Sequence, residues 1–300
     1  MELTSVEYLN KKALPFRETV IIPLADIQLQ QRREAVDIKR LKETVQWGVD
    51  HDAWWIGVGD YIDMESPSNR KLLRGTGFYD SVLDALDAKA EELQEELQDI
   101  LKPTRKHWLG ILDGHHYHEY QDGGTSDTRL AQYLDAPFLG TCAAVKVVFE
   151  LPAGVGGSRT HHVNPSFNIW AHHGRGGGKL SSAPINSLEH IVKGFDSDVY
   201  LIAHTHRAGA VRMARIYPQF GPKKGYLEHK DLFLAACGSF LKGYAEGHQR
   251  GGRAAGMYPE AAMMNPLSLG VVKIWARPRW EIRPGGTTSG SPVIDLSVEV

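Results

Sequence analysis

Cysteine is scarce. Only Cys142 and Cys237 occur among the 300 residues, so no disulfide framework holds the fold and a reducing compartment is the simpler reading. No apolar run approaches the roughly 20 residues of a membrane-spanning helix. The opening MELTSVEYLNKK lacks the apolar stretch of a signal peptide. A charge excess is missing too: 34 Lys and Arg against 36 Asp and Glu leave a formal net charge of −2. General nucleic-acid coat proteins carry a clear basic excess, so that class is excluded, although a small local nucleic-acid site is not. Disorder is excluded by 42% hydrophobic and 23% charged residues, an ordinary globular composition. There is no internal repeat. What is abundant is histidine, with 14 residues that fall in clusters.

The chain length allows one large domain or two small ones. Residues 1–18 are polar and without a period, which reads as an N-terminal extension. Residues 19–280 read as a single domain and 281–300 as a C-terminal tail behind the linker PGGTTSGS. Apolar runs at Thr19 to Leu24, Ala53 to Val58, Trp108 to Leu112, Val163 to Ala171 and Val199 to Ala203 read as strands. Val145 to Leu151 pairs with Val163 to Ala171 as a hairpin around the turn Gly154 to Ser158. Val211 to Tyr217, Asp231 to Ala236 and Leu269 to Trp275 are further strands, with a basic loop from Gly221 to Gly225. Helical spacing covers Gln31 to Trp47, and more clearly Ser81 to Leu101, stopped by Pro103. Helices are also expected at Gly123 to Tyr133 and Ser187 to Val192. Residues 64–80 are rich in Ser, Pro, Asn and Gly and read as a loop.

Five of the apolar runs end in residues able to bind metal: Asp26, Asp60, His115 with His116, His172 with His173, and His204 with His206. Ligands of open α/β sheets collect at the carboxyl ends of the strands, so these groups should converge. Mixed carboxylates and imidazoles suit Mn, Fe or Zn better than Ca or Mg. There are too many candidates for one tetrahedral ion. Two ions ~3.5–4 Å apart would use them all, clamp a phosphate and generate a hydroxide at neutral pH.

The ordered segments Asp26-Ile27-Gln28, Gly59-Asp60-Tyr61-Ile62-Asp63, Gly114-His115-His116, His173-Gly174 and His204-Thr205-His206 resemble the calcineurin-like metallophosphoesterases. The stretch Ala171 to Gly178 is similar to phage-type and bacterial members. The resemblance spans about residues 18–278. It implies an α/β fold with two sheets packed face to face between helices, a four-layer α/β/β/α sandwich. It implies that Asp26 and His206 bind a first metal, that Asp60 bridges, and that His173 and His204 bind a second. His116 is then a general acid oriented by Asp63. The cofactors would be two divalent ions, Mn, Fe or Zn, with Mn preferred. The protein would be cytoplasmic, in a bacterium or a phage-infected host, with no membrane partner.

This chain departs from the family pattern at four places. Gln28 stands where a His is usual, and an amide is a poor ligand, so weaker binding or more water is expected at the first metal. His115 replaces an Asn and offers the second metal an imidazole. Tyr117 replaces an acid and Ala203 a Gly.

Taken singly, each motif also has a plainer reading. Asp60 and Asp63 suit a turn and a helix cap. An H-x-H pair on an extended strand points both rings the same way, which would bring His204 and His206 to one site. Neighbours on a strand alternate faces, so His172 and His173 cannot both face the site. The resemblance, through its His-Gly pattern, implies that His173 is the one that does and that His172 packs behind it. His161 and His162 are expected in solvent, His118 either at the site or on the surface. Arg175 and Lys179, in the Gly-rich run, are candidate substrate contacts. The expected function is hydrolysis of a phosphodiester, in nucleic acid or a nucleotide, by a hydroxide bridging two metals. The alternatives are a phosphomonoesterase, a single-metal hydrolase and a metal-binding scaffold without turnover.

Overall fold

The first half of the chain alternates strands with helices: β1 (Leu9–Pro15), β2 (Thr19–Leu24), α1 (Ile38–Asp50), β3 (Trp54–Gly57), α2 (Pro67–Gly75), α3 (Asp80–Leu101), β4 (Trp108–Leu112), α4 (Ser126–Leu134) and β5 (Phe138–Gly140). The second half is richer in strands: β6 (Cys142–Glu150), β7 (Ser166–His172), α5 (Ala183–Ile191), β8 (Val199–Ile202), β9 (Ala208–Phe220), β10 (Gly225–Ser239), β11 (Gln249–Arg250), β12 (Arg253–Ala254), α6 (Tyr258–Ala261), β13 (Gly270–Val271), β14 (Lys273–Ile282) and β15 (Gly290–Glu299). The computed structural model describes residues 9–75, 77–152, 164–176, 178, 180–220, 224–244, 246–261, 263, 265–282 and 290–300.

Two sheets result. One has six strands in the order β15-β14-β2-β3-β4-β5, with β2 to β5 parallel. The other has seven, in the order β1-β6-β7-β8-β10-β13 with β9 paired to β10. There β7, β8 and β10 run parallel. Side chains of a strand alternate between its faces, and the burial follows that period. On β2, Ile21 joins Ile56, Ile169, Leu201 and Ala235 in a core between the sheets. Its neighbours Val20, Ile22 and Leu24 face outward and pack with Leu41 and Val45 of α1, Leu93 and Leu97 of α3, and Leu130 and Leu134 of α4. The outer face of the other sheet presents Trp170, Tyr200 and Leu234 to Leu188 of α5. The expected order of layers, helices, sheet, sheet and helix, is therefore observed.

Local signals explain the helices. The Asp37 carboxylate caps α1 by accepting from the Arg40 N–H at 3.1 Å. Thr125 and Thr128 form a reciprocal capping box on α4. Residues 64–80, expected to be a loop, contain α2. Ser66 Oγ accepts from the Asn69 N–H at 3.2 Å, and Pro67 opens the helix. Ser-Pro here is a helix start, because Pro is preorganised for the first helical turn.

The ends of the chain also differ from expectation. Residues 9–15, read as part of an extension, form β1 and pair in parallel with β6. Among the side chains described on this strand Leu14 alone is deeply buried, and backbone pairing along a sheet edge runs the length of the strand. Residues 290–299, read as a tail, pair with β14 along its whole length. Ile294, Leu296 and Val298 pack against the core between the sheets at a period of two. The hairpin of β6 and β7 is present, while Gly154 to Ser158, His161 and His162 lie outside the described residues. Among the described residues no helix is long and apolar enough to cross a membrane.

Because β15 belongs to this core, Leu296→Asp should cost roughly 1–3 kcal/mol of stability, the usual penalty for a poorly satisfied polar group in an apolar site. Urea unfolding followed by circular dichroism measures it. An unchanged midpoint would contradict the packing of this strand.

Candidate metal centre

The carboxyl ends of five strands meet along one edge of the sandwich. Asp26 and Gln28 follow β2, Asp60 and Asp63 follow β3, and His115 and His116 follow β4. From the second sheet, His173 follows β7, while His204 and His206 follow β8. The loops are stitched together by Asp26 N–H to Gly59 O at 3.0 Å, Gln28 N–H to Asp60 O at 2.9 Å and Ala203 N–H to His173 O at 3.0 Å. A bond across the sheets, His204 N–H to Asp26 Oδ2 at 2.8 Å, ties the two halves.

Nine described non-glycine residues have positive φ, and five of them are Asp26, Gln28, Asp60, His204 and His206. Such left-handed backbone is costly for these residues and persists only where surroundings enforce it. It turns the chain sharply off each strand end. It also corrects the reasoning on His204-Thr205-His206: the pair is not extended, so strand alternation does not aim its rings. His204 Nδ1 lies 3.3 Å from His115 Nδ1, whereas His206 Nε2 lies 3.2 Å from Gln28 Nε2 and 3.5 Å from Asp26 Oδ1.

Asp60 is the hub. Its Oδ1 accepts from the backbone N–H groups of His115 and of His116, the latter at 3.0 Å. Its Oδ2 lies 3.2 Å from His173 Nε2 and 3.3 Å from Gln28 Nε2. Gly114 is glycine because a Cβ there would collide with Asp60 N and Oδ1. The ring of His116 donates through Nδ1 to Asp63 Oδ1 at 2.7 Å, leaving Nε2 facing Asp60 at 4.0 Å. His172 Nδ1 accepts from the Gly174 N–H at 2.7 Å and its ring stacks on Trp170, away from the cluster. Arg175 is exposed, and Lys179 lies outside the described residues.

Two sets of ligand atoms converge within 4.8 Å: those of His115, His173 and His204, and those of Asp26, Asp60 and His173. The two sets share His173. Asp26 Oδ1 and His173 Nε2 are buried without a hydrogen-bond partner. His173 Nδ1 lies 2.7 Å from Val58 O, which can only accept, so Nδ1 carries the proton and Nε2 is turned to the cluster.

The electrostatics favour a cation there. Burial pushes Asp26 up to about 8. Burial works the same way on Asp60, but the His173 imidazole overrides it and holds Asp60 well below the usual carboxylate range. Burial opposes charge on His173 too, yet Asp60 pushes it up to about 9. Burial pushes His115 and His206 down to about 4 and lowers His204, so these rings present lone pairs at neutral pH. Two buried carboxylates beside the neutral rings of His115, His204 and His206 are the donor set of a divalent transition metal, which would displace the proton that Asp60 holds on His173. The residues therefore fit the metal they were expected to hold. For His116, burial lowers the pKa, but the Asp63 hydrogen bond outweighs it and raises the value.

Three supporting residues escaped the sequence reading, and a fourth, His118, lies elsewhere than expected. Tyr61 donates to Leu112 O and accepts from the Gly59 N–H, both at 3.0 Å. Asp127, buried and pushed up to about 7 by that burial, accepts from the Gly114 N–H at 2.9 Å. Arg70 donates to the carbonyls of His115 at 3.0 Å and Tyr117 at 2.7 Å, and stacks 3.7 Å from the Tyr117 ring. It thus clamps the loop that carries His115 and His116. His118, placed by sequence either at the site or on the surface, is buried between Glu65 Oε1 at 2.8 Å and Asp87 Oδ1 at 2.6 Å. The helix start at Ser66-Pro67 signals the helix that carries Arg70, but nothing local signals what Arg70 binds.

No protein-family model matches this chain, and no curated protein matches it. A solved structure from Streptococcus pneumoniae TIGR4, titled a conserved uncharacterized protein and predicted phosphoesterase, aligns at 12% identity over 94% of this chain and 98% of that chain. The TM-score is 0.30, too low for the likeness to carry an argument.

His118 generates a stability prediction. Burial lowers its pKa, but its two carboxylate partners outweigh that and raise it above 6.5. The folded state then holds this proton more tightly than the unfolded chain. Its stabilisation is complete below pH 6.5 and fades as pH rises through the raised value. His118→Gln should lower the urea midpoint at about pH 6, and the deficit should narrow by about pH 9. A deficit that is constant or grows with pH would contradict this assignment.

Proposed function

We propose that the protein is a metal-dependent phosphoester hydrolase acting on phosphodiesters, with nucleic acid or a nucleotide as substrate. One observation carries the reading: His116, fixed by Asp63, stands at the edge of a buried carboxylate and imidazole cluster whose Asp26 Oδ1 and His173 Nε2 make no hydrogen bond. Two divalent ions would be held there, one by His115, His173, His204 and Asp60, the other by Asp26, Asp60 and His206 beside Gln28. Such ions would neutralise phosphoryl oxygens and bring the pKa of water near neutrality.

The chain's own residues do the rest. Asp63 holds the His116 ring in one tautomer with Nε2 free. The raised pKa of His116 favours the form that carries a proton on Nε2. Its side chain is 26% accessible, so a leaving oxygen can reach it. A proton delivered there matters most for an alkoxide, which is the leaving group of natural diesters. Asp60, fixed by two backbone N–H groups, keeps the cluster in register with His116. Arg70 and Asp127 hold the loop between them.

Two variants test this reading. Asp60→Asn removes the charge of the shared carboxylate. It should abolish turnover and lower the metal retained after desalting; full rate with unchanged metal content would refute the role. His116→Ala should leave metal content near wild type while slowing hydrolysis by ~10²–10⁴-fold. The loss should be large for alkyl leaving groups and small for a nitrophenolate. Equal losses for both, or loss of metal instead of rate, would remove His116 from the acid role.

A further inference from the structure

We infer that the two cation positions are unequal: the corner of His115, His173 and His204 holds one ion tightly, while the Gln28 side takes a second, harder ion weakly and reversibly. This rests on the metal-dependent reading above and deepens it.

The donor sets differ in kind. Ligand atoms of His115, His173 and His204 lie within 4.8 Å of one another, three imidazoles at one point. Nitrogen donors favour the later first-row ions, with affinity rising from Mn through Fe and Co, whereas oxygen donors suit Mn and Mg. The other side offers the oxygens of Asp26 and Asp60, which converge on the shared His173, and beyond them the ring of His206, 3.5 Å from Asp26 Oδ1.

Gln28 then weakens that second side. Its Nε2 sits 3.3 Å from Asp60 Oδ2 and 3.2 Å from His206 Nε2. An amide NH2 only donates, so it occupies an oxygen and a ring nitrogen that a cation would need. Turning the amide over would set its oxygen against the Asp60 carboxylate, so Asp60 fixes the orientation. Gln28 is 4% exposed, and its backbone N–H is bonded to Asp60 O, so the side chain has no solvent to swing into. A cation must displace both bonds. Yet Asp26 Oδ1, fully buried and without a hydrogen-bond partner, still faces this side, so the position is weakened and not removed. Occupancy of the second position, and with it turnover, then follows the free concentration of a hard divalent ion.

The test is a titration of the metal-stripped full chain with Co²⁺, read by cobalt visible absorption and by the metal retained after desalting. One equivalent should survive desalting, with the second at least about 10-fold weaker. Gln28→His should strengthen only the weaker step, on the order of 10–100-fold, and His115→Ala should weaken only the tighter one by a similar factor. Circular dichroism of each stripped variant checks folding; if Gln28→His does not fold, Gln28→Glu replaces it and should also strengthen the weaker step. Two equally tight ions in the wild type would overturn the inference, as would a His115→Ala effect confined to the weaker step. Such a result with intact hydrolysis leaves the proposed function standing. A chain that binds no cobalt and hydrolyses nothing overturns both.

Discussion

Everything at this centre depends on one buried carboxylate. Asp60 is 1% exposed, and both of its oxygens are engaged. Oδ1 gathers two backbone N–H groups from the loop after β4, and Oδ2 meets His173 from the opposite sheet and Gln28 from the loop after β2. A buried charge of this kind is tolerable only with such partners, and stripping one away typically costs about 3–5 kcal/mol. Asp60 therefore registers three loops from two sheets against one another. The requirement reaches Gly114, which has no room for a side chain, and Asp127, which holds Gly114 from behind.

The sandwich supplies the rigidity that this demands. Five residues of the cluster sit in left-handed backbone that an isolated chain would leave. They stay because each lies a few residues beyond a strand whose inward side chains are locked in the core between the sheets. Ile56 and Val58 precede Asp60, while Leu201 and Ala203 precede His204. The outer helices seal the far faces, and Arg70 on α2 fastens the loop after β4. Strain at the strand ends and close packing behind them are one design, in which the fold holds ligands where they would not settle unaided.

Much of this arrangement is legible in the sequence, for a definite reason. Parallel strands are short apolar runs, their carboxyl ends collect ligands, and His or Asp after five such runs marks the same edge of the sheets. Of the residues so marked, from Asp26 to His206, the structure brings together all but His172, whose ring stacks on Trp170. What is not legible lacks periodicity. The rings of His204 and His206 are aimed by left-handed turns and not by strand alternation. Arg70, His118 and Asp127 act through backbone carbonyls, paired acids and a buried N–H, partners far along the chain that leave no local pattern. At the chain ends, β1 shows almost no apolar signal, while the alternation of Ile294, Leu296 and Val298 was masked by the Gly- and Ser-rich stretch before it.

The most direct measurement is hydrolysis of an aryl phosphodiester by metal-stripped protein, before and after adding Mn, Zn, Fe or Mg singly, with wild type and Asp60→Asn side by side. The account predicts no turnover in the stripped protein, turnover restored by at least one of these ions, and none restored in the variant. Turnover that is unaffected by stripping, or a variant restored as fully as wild type, would contradict it.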